Sequence, residues 1–236
     1  MPQLPEAIFH NPPWHALRTK HRHFAQIRGN ACRYLPSVAP FAALAAPDEI
    51  ALRDLHTLMQ PGESVWIFGE NLPTVEGLAY DATLPTLQMV LLADTPVPPP
   101  DDAITPLSDP AEMVALTDIA FPGFFRPGTC EMGEYFGLRS GGQLVSMGGE
   151  RLMLEGYSEI SGICTHPDHR GRGYAARVVS HLVRKHSAEG LVSWLHVVAS
   201  NTHAIGLYES LGFQIVRQVV LTRITASIAG ISHPSM

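Results

Sequence analysis

The stretch from His166 to Val179, HPDHRGRGYAARVV, contains residue types that together can bind an anion. Two glycines alternate with two arginines directly before a segment that has the periodicity of a helix. Glycine allows an anion to approach the main chain, the first amides of a helix lack internal acceptors, and arginine adds charge-assisted hydrogen bonds. The pattern predicts a site for a phosphate-type anion at a helix entrance. A solvated turn is the alternative.

Two common phosphate-binding motifs do not match this stretch. A P-loop needs Gly-x-x-x-x-Gly-Lys-Ser/Thr, and the sequence has no such run. The dinucleotide fingerprint Gly-x-Gly-x-x-Gly fails as well, because Ala176 stands at its third glycine and no acidic residue ends a strand about 20 residues later. The loop therefore belongs to neither of these two motif classes.

The sequence around the loop indicates alternating strands and helices. A strand at Ser158–Thr165 enters the loop, and the helix that follows Gly173 has an apolar stripe and ends at Gly190. An Asp-Pro pair at 109–110 predicts the start of an earlier helix, which should extend to about Ala120. The other expected elements are a hairpin at 135–138 and 144–147, a strand at 192–198, a helix at about 204–211 and a strand at 214–221.

The N-terminal part of the chain predicts a smaller α/β domain. Asp48 is expected to cap a helix that ends before Pro61, and strands are expected at 65–68 and 86–92. Four prolines between Ala93 and Asp102 cannot continue a helix or a central strand, so this segment is expected to be a linker. The predicted division is a companion domain at 1–93, a linker at 94–102, a second domain at 103–224 and a tail at 225–236.

The composition excludes several classes of protein. The chain has 236 residues, of which 45% are hydrophobic, and a formal net charge of −6, which argues against a nucleic-acid binder held by bulk positive charge. It has no apolar run of the roughly 18 residues that a membrane-spanning helix needs, and its N-terminus lacks the apolar core of a signal peptide. Cys32, Cys130 and Cys164 are widely spaced, which indicates reduced thiols. We therefore expect a soluble cytoplasmic protein without a membrane partner.

Two motifs resemble those of the GCN5-related N-acetyltransferase (GNAT) superfamily. Residues 170–175, RGRGYA, match its acyl-CoA pattern Arg/Gln-x-x-Gly-x-Gly/Ala, and residues 201–213, NTHAIGLYESLGF, are similar to its Asn-x-x-Ala-x-x-Leu-Tyr-x-x-x-Gly-Phe. The resemblance extends over about 103–221 and is closest to the FR47-like, glycine acyltransferase-type branch. It implies an α/β fold, the GNAT acyl-CoA N-acyltransferase fold with a mixed central sheet. The smaller N-terminal α/β domain resembles a degenerate copy of that fold.

The resemblance implies acetyl-CoA as the cosubstrate and no metal. The amides from Gly171 to Ala175 would hold the diphosphate of CoA, and the pantetheine arm would lie along the end of the preceding strand, where this fold opens a gap between its fourth and fifth strands. A nearby main-chain N–H would polarise the thioester carbonyl. The implied binding residues are Ile163, Cys164, Thr165, Arg170, Gly171, Arg172, Gly173, Tyr174, Ala175 and Asn201.

The resemblance also implies a catalytic base and a catalytic acid. Glu159 stands six residues before Thr165, where histone-type members of the family place a glutamate base, and Tyr208 occupies the position of the general acid. In a regular strand, alternation would place Glu159, Ser161, Ile163 and Thr165 on one face. The structural alternatives are a glutamate that faces water and a tyrosine that packs beneath the cofactor.

Several other residues have competing interpretations. Asn201 either contacts the pantetheine arm or caps the following helix, and Cys164 is expected in the core because no His/Asp set accompanies it. Phe121, Phe124 and Phe125 either wall the acceptor pocket or simply pack. Six histidines without zinc-ligand spacing are expected at the surface, namely His10, His15, His21, His23, His166 and His169.

The expected function is transfer of an acetyl or short acyl group from acyl-CoA to a primary amine, by direct attack with acid and base assistance. The acceptor would be a small-molecule amine or a peptide N-terminus, and the protein would be a monomer or a homodimer. A catalytically silent acyl-CoA-binding module and an unrelated nucleotide-phosphate binder are the alternatives. The presence of both Glu159 and Tyr208 favours an enzyme over the silent module.

Overall fold

The N-terminal part of the chain forms short helices and strands in the computed structural model, which describes residues 6–228. Asp48 caps the third helix, as predicted, by accepting a hydrogen bond from the Ala51 amide at 2.8 Å. The elements are α1 (Glu6–His10), α2 (Pro12–Arg18), β1 (Ala25–Arg28), β2 (Ala31–Tyr34), β3 (Ala42–Leu44), α3 (Glu49–Thr57), β4 (Ser64–Phe68) and β5 (Leu78–Leu91).

The C-terminal part contains every element that the sequence predicted there. The carboxylate of Asp109 accepts from the Ala111 amide at 2.9 Å and so starts the helix that begins with Pro110. The elements are β6 (Ile104–Leu107), α4 (Pro110–Ala120), β7 (Tyr135–Ser140), β8 (Gln143–Leu154), β9 (Tyr157–Thr165), α5 (Tyr174–Ala188), β10 (Val192–Val198), α6 (Thr202–Ser210) and β11 (Phe213–Ala226).

The strands form two sheets whose order does not follow the predicted domain division. β1, β2 and β3 form a small antiparallel sheet. The other eight strands form one mixed sheet in the order β4-β11-β5-β10-β9-β8-β7-β6. β4 and β5 come from the N-terminal part, yet β5 lies between β10 and β11 of the C-terminal part. The predicted boundary at 94–102 therefore connects two strands of one sheet instead of two separate sheets.

The proline-rich segment is fastened to the C-terminal part. The carboxylate of Asp101 forms a bidentate ion pair with Arg177 of α5 at 2.6 and 2.8 Å, and Arg184 of α5 donates to the Pro98 carbonyl at 3.4 Å. The prolines exclude regular structure, as predicted, but they do not make this segment a free linker. At the other end, Thr225 and Ala226 belong to β11 and not to a tail. The rest of the predicted tail from residue 229 lies outside the described residues.

The eight-stranded sheet separates two layers. α5 and α6 cover one face, where Val179 and Leu182 pack against Leu195 and Val197 of β10. α4 and the N-terminal elements cover the other face, where Phe9 packs edge-on against Trp194 of β10 at 4.8 Å. Alternate residues of β10 therefore face opposite layers. Among the described residues, no helix is long and apolar enough to cross a membrane.

Candidate active site

A gap opens between β9 and β10 because these parallel strands separate before either of them ends. Their last paired residues are Ile160 and Leu195. β9 then continues through Ser161–Thr165 and β10 continues to Val198 without pairing to each other. At about 3.3 Å per residue, the unpaired end of β9 is about 16 Å long. An extended ligand can bind along this edge as an added strand would.

A β-bulge in β9 determines which side chains face each layer. Cys164 lies opposite Met147 of β8, whereas Ser161 lies opposite Gly149, so β9 has an extra residue between these pairs. Gly162 provides the positive φ of 66° that this bulge requires. The regular strand in which Glu159, Ser161, Ile163 and Thr165 would share one face is therefore not formed, and the bulge separates their faces.

The entrance of α5 presents a row of unsatisfied amides. Among the described residues, none accepts a hydrogen bond from the main-chain amides of residues 171 to 176, and Gly173 at the N-cap has no capping side chain. Gly171 and Gly173 both have a φ of 74°, and a Cβ at either position would meet no protein atom within 4 Å. The loop is thus uncovered by protein at both glycines, and its free N–H groups lie at the positive end of the helix dipole.

The two arginines of this loop are exposed beside the amides. Arg170 Nε donates to the Thr165 carbonyl at 3.4 Å and an Arg172 Nη donates to the Asp168 carbonyl at 3.4 Å. Neither guanidinium is bound to a carboxylate in the described residues, so both remain available for an anion. Tyr174, at the first position of α5, lies beneath the Arg177 guanidinium at 5.9 Å.

Glu159 is a buried member of an ion pair. Its side chain is 0% exposed and accepts hydrogen bonds from Arg151 at 2.6 and 2.9 Å, from the Leu152 amide at 3.2 Å and from His196 Nδ1 at 2.6 Å. The register of β8 shifts between Glu150 and Met153. This second bulge frees the Leu152 amide for the carboxylate.

These contacts do not suit Glu159 to remove a proton from an amine directly. Burial would raise the pKa of its carboxyl, but the charge of Arg151 and the hydrogen bonds from Arg151 and His196 lower that pKa to about 2. A carboxylate with so low a pKa is a weak base, and its oxygens are already engaged by three donor groups. The alternative in which Glu159 faces water is wrong, because its side chain is 0% exposed.

His196 and Arg151 are polar groups of this site that the sequence analysis did not identify. His196 follows the last residue of β10 that pairs with β9, and its side chain is 5% exposed. Its Nε2 lies 3.1 Å from Gln88 Nε2, and its ring contacts those of Phe68 and Trp194 at 5.1 and 4.9 Å. The signal for His196 was a single titratable residue in the mostly apolar strand VSWLHVV.

Tyr208 packs beneath the gap on the α6 side. Its ring belongs to the cluster of Leu195, Val197 and Ile163, and the residue is 8% exposed. Its hydroxyl has no hydrogen-bond partner among the described residues. Burial raises the pKa of this phenol to about 12, so it carries its proton at neutral pH. The geometry is compatible with both the acid and the packing interpretations of Tyr208.

The side chains of the other predicted site residues on β9 and at the start of α6 make structural contacts. Asn201 caps α6, since its Oδ1 accepts from the Ala204 amide at 3.1 Å. Cys164 is buried beneath α4, as predicted, and burial raises the pKa of its thiol to about 12. Ile163 packs in the core under α5, and the Thr165 hydroxyl bonds that of Ser146 at 2.9 Å. Their main chains lie on the unpaired part of β9.

The aromatic loop and the histidines differ in part from expectation. Phe124 stacks on Phe41 at 6.4 Å and contacts Trp66 at 5.8 Å, so this loop joins the N-terminal part to the C-terminal part. The surface position expected of His21 is wrong, because His21 is 3% exposed with Nδ1 2.9 Å from the Tyr34 hydroxyl. Within residues 6–228, no three His, Cys, Asp or Glu side chains form a group that could hold a metal ion.

A family model and curated sequences match part of the chain. The sequence model of the FR47-like protein family matches residues 135–221. Ribosomal protein bS18-alanine N-acetyltransferase of Escherichia coli K12 is 32% identical over 98 residues, which are 40% of this chain. The chain spans 66% of the length of that curated relative.

Solved structures match nearly the whole chain. A GNAT-family acetyltransferase structure from Novosphingobium aromaticivorans is 36% identical with a TM-score of 0.85, and the match covers 93% of this chain and 99% of that one. A GCN5-related N-acetyltransferase from Kribbella flavida shares the fold at 18% identity, with a TM-score of 0.58 over 96% of both chains. The long match at 36% identity agrees with the two motifs and with the gap between β9 and β10. The chain therefore belongs to the GCN5-related N-acetyltransferase family.

Proposed function

We propose that this protein transfers an acetyl or another short acyl group from its CoA thioester to a primary amine. The observation that carries the proposal is that the unpaired edge of Ser161–Thr165 is followed along the chain, after only five intervening residues, by the free amides of residues 171–176. A diphosphate and an extended arm that is attached to it can bind to these two parts together. Thioester carriers of the CoA type have this combination of groups.

The free amides and the unpaired strand edge would bind different parts of CoA. The amides from Gly171 to Ala175 would hold the diphosphate, with Arg170 and Arg172 adding charge-assisted hydrogen bonds. The pantetheine arm would pair with the main chain of β9 at Ile163 and Thr165, along the edge that has no partner strand. A free N–H at this edge can polarise the thioester carbonyl and stabilise the oxyanion that forms during attack.

The acceptor would reach the thioester from the face that α4 and the N-terminal elements cover. The curated relative with 32% identity is named for acetylation of an alanine of a ribosomal protein. A peptide that begins with alanine is therefore the first acceptor to test, followed by pools of amino acids and polyamines. The assay measures thiol release from acetyl-CoA. Release with one of these amines supports the proposal, whereas binding of acetyl-CoA without any release would favour the silent module.

Replacing Gly173 by valine should weaken acetyl-CoA binding by on the order of 10²-fold, because a Cβ there would stand where a phosphate oxygen meets the amides. The site of this Cβ holds no protein atom within 4 Å. The added side chain would therefore displace ligand and not protein. Isothermal titration calorimetry with acetyl-CoA measures the change in Kd.

Gly156→Val is the matched control for this variant. Gly156 lies between β8 and β9, has a φ of 77° and also has no protein atom within 4 Å of its Cβ position. Valine at either position therefore carries the same backbone strain. We expect Gly156→Val to keep the wild-type Kd within about twofold. Equal Kd values for the wild type and Gly173→Val would contradict the diphosphate site.

Tyr208→Phe should lower kcat by on the order of 10²-fold or more with little change in the Kd for acetyl-CoA. The hydroxyl of Tyr208 has no partner among the described residues, so its removal costs little stability. In the proposed reaction it protonates the departing thiolate. Tyr80→Phe, which removes a hydroxyl bonded to the Pro73 carbonyl, is the control and should keep the wild-type kcat. A Tyr208→Phe rate near that of the wild type would support packing alone.

A further inference from the structure

We propose that His196 accepts the proton from the attacking amine, and that Glu159 and Arg151 are positioning residues which hold the imidazole for this step. The inference rests on the proposed acyl transfer and assigns a role within that same site. It replaces direct proton removal by Glu159 with removal by a histidine that Glu159 supports.

The first argument for this role is the position of His196 along β10. β9 and β10 separate directly after Ile160 and Leu195, and His196 is the next residue of β10. The proposed diphosphate site lies after the far end of β9, so an arm that enters from there has its reacting end at the point where the strands meet. His196 is therefore the first residue of β10 beyond its last pair with β9, with Nδ1 directed to Glu159 of β9 and Nε2 directed to Gln88 of β5.

The second argument is the face of the sheet on which His196 lies. Leu195 and Val197 point to the layer of α5 and α6, where they pack with Tyr208. His196 points to the opposite layer, where its ring contacts Trp194 and Phe68. The proton acceptor and the proton donor thus lie on opposite faces of the gap. An amine that arrives on one face and a thiolate that leaves on the other would each meet the group they need.

The hydrogen bonds of the imidazole determine its tautomer. Gln88 Nε2 donates to the Phe9 carbonyl at 2.8 Å, which fixes the amide orientation, and its other proton points to His196 Nε2 at 3.1 Å. His196 Nε2 is therefore an acceptor. The proton of the neutral ring is on Nδ1, which donates to Glu159 at 2.6 Å. In this tautomer Nε2 is unprotonated, as a base requires, and its electron pair accepts the Gln88 hydrogen bond.

Glu159 and Arg151 act on the imidazole as the carboxylate of a catalytic triad does. The ionised carboxylate holds Nδ1 and stabilises the imidazolium that forms when Nε2 takes a proton. Arg151 keeps Glu159 ionised and fixes it with two hydrogen bonds. The buried ion pair, which makes Glu159 a poor base, makes it a suitable support for His196.

The environment of His196 lowers the pKa of its ring below the ordinary value, which favours the neutral form. Burial lowers the pKa of the ring, Glu159 on β9 opposes this shift, and Arg151 on β8 adds to it. The other contacting side chains, Gln88, Phe68 and Trp194, are uncharged. A neutral imidazole can take a proton, whereas protonation in acid would abolish its role.

The proposed step balances as follows. The electron pair of the amine nitrogen forms a bond to the acyl carbon, and the carbon–sulfur bond breaks. The proton of that nitrogen goes to His196 Nε2, as the substrate takes the place of the Gln88 N–H, and the sulfur receives the proton of the Tyr208 hydroxyl. The products are an amide and the CoA thiol. Proton exchange with solvent then returns both residues to their starting states.

His196→Gln tests the proposal with an alanine-initiated peptide as the acceptor, or with the pool amine that gives thiol release. Glutamine can still bond Glu159 but cannot take the proton. We expect kcat to fall by on the order of 10²-fold or more, the Kd for acetyl-CoA to stay unchanged and the acidic limb of the pH profile of kcat/KM to disappear. His181→Gln removes a half-buried imidazole that packs on Phe136 and should leave kcat, the Kd and the acidic limb as in the wild type.

A measurement on the unaltered protein complements the variant. In a ¹⁵N NMR titration of labelled histidine, the resonances of His196 should show the Nδ1–H tautomer and titrate at the pH of the acidic limb. A midpoint more than about one pH unit away from that limb would overturn the proposal. A His196→Gln rate within about threefold of wild type would also overturn it, while leaving acyl transfer intact. Acetyl-CoA binding without thiol release for any amine would overturn both proposals together.

Discussion

Expressed without its first 102 residues, the chain is expected not to fold cooperatively, although residues 103–236 contain both GNAT motifs. β5 would be missing from between β10 and β11. It pairs with β10 from Thr86 to Val90 and with β11 over nearly its whole length. Its loss would leave two long strand edges unpaired and would expose the core residues that β5 shares with α5 and α6, including Met89.

Fragment complementation separates this explanation from a general loss of stability. Residues 1–102 and 103–236 are produced separately and then combined, and circular dichroism, thermal melting and acetyl-CoA binding are measured for each fragment and for the mixture. We expect a cooperative transition and ligand binding only in the mixture, because β5 can then enter the sheet. A fragment 103–236 that is monomeric, melts cooperatively and binds acetyl-CoA alone would contradict this role of β5.

Local signals predicted the helices and the loop at the entrance of α5 well. Asp109 ahead of Pro110 marked the start of α4, and Gly173 and Gly190 marked the two ends of α5. Each of these signals acts through hydrogen bonds or dihedral angles within a few residues, so no distant partner can change it. The free amides at the α5 entrance follow from the same local rules. For this reason the proposed diphosphate site could be inferred from the sequence alone.

The faces of β9 could not be inferred in the same way. Alternation assigns faces only in a regular strand, and one inserted residue exchanges the faces of everything beyond it. The bulge at Gly162 has this effect between Ser161 and Ile163. A glycine within a strand is a signal for a bulge. Which residue of β9 is the extra one depends on the pairing of β9 with β8, and this pairing cannot be read from the sequence of β9.

The environment of Glu159 depends on contacts between strands. Its partners come from β8 and β10, eight and 37 residues away in the chain, and the sequence does not state which side chains meet there. A glutamate within a buried strand indicated that a compensating group must exist. Arg151 and His196 could be identified as that group only from the order of the strands in the sheet and the positions of both bulges. The insertion of β5 was equally unpredictable, because it pairs strands that are more than 100 residues apart.

Arg151→Met should lower the free energy of unfolding by about 3–5 kcal/mol at pH 7, because it leaves a buried carboxylate without its cation. Glu159 is 0% exposed, so water cannot replace the guanidinium that donates to both carboxylate oxygens. Methionine has a similar length and keeps the apolar contact with the ring of Phe41, over which the guanidinium lies at 4.9 Å. Urea unfolding monitored by tryptophan fluorescence measures the change.

The effect should depend on pH in a defined direction. In the wild type the pKa of Glu159 is about 2, below its ordinary value of 4.5, so ionisation of this group stabilises the protein above pH 4.5 and this stability is lost as the pH falls toward 2. Without Arg151, burial dominates and raises the pKa of Glu159, so the folded variant favours the protonated form. The difference in unfolding free energy between the two proteins should therefore shrink as the pH falls from 7 to 4.

Two further variants identify the buried charge as the cause. Arg53→Met breaks an ion pair with Glu49 whose side chains are 62% and 60% exposed, and it should cost no more than about 0.5 kcal/mol. Arg151→Met combined with Glu159→Gln should be more stable than Arg151→Met alone, because no unpaired charge is then left in the interior. A single variant as stable as the wild type, or a double variant less stable than the single one, would contradict the ion pair. The same double variant removes the carboxylate that holds His196. It should therefore remain poorly active even where its stability recovers. This result would separate the contribution of Glu159 to stability from its contribution to the proposed base.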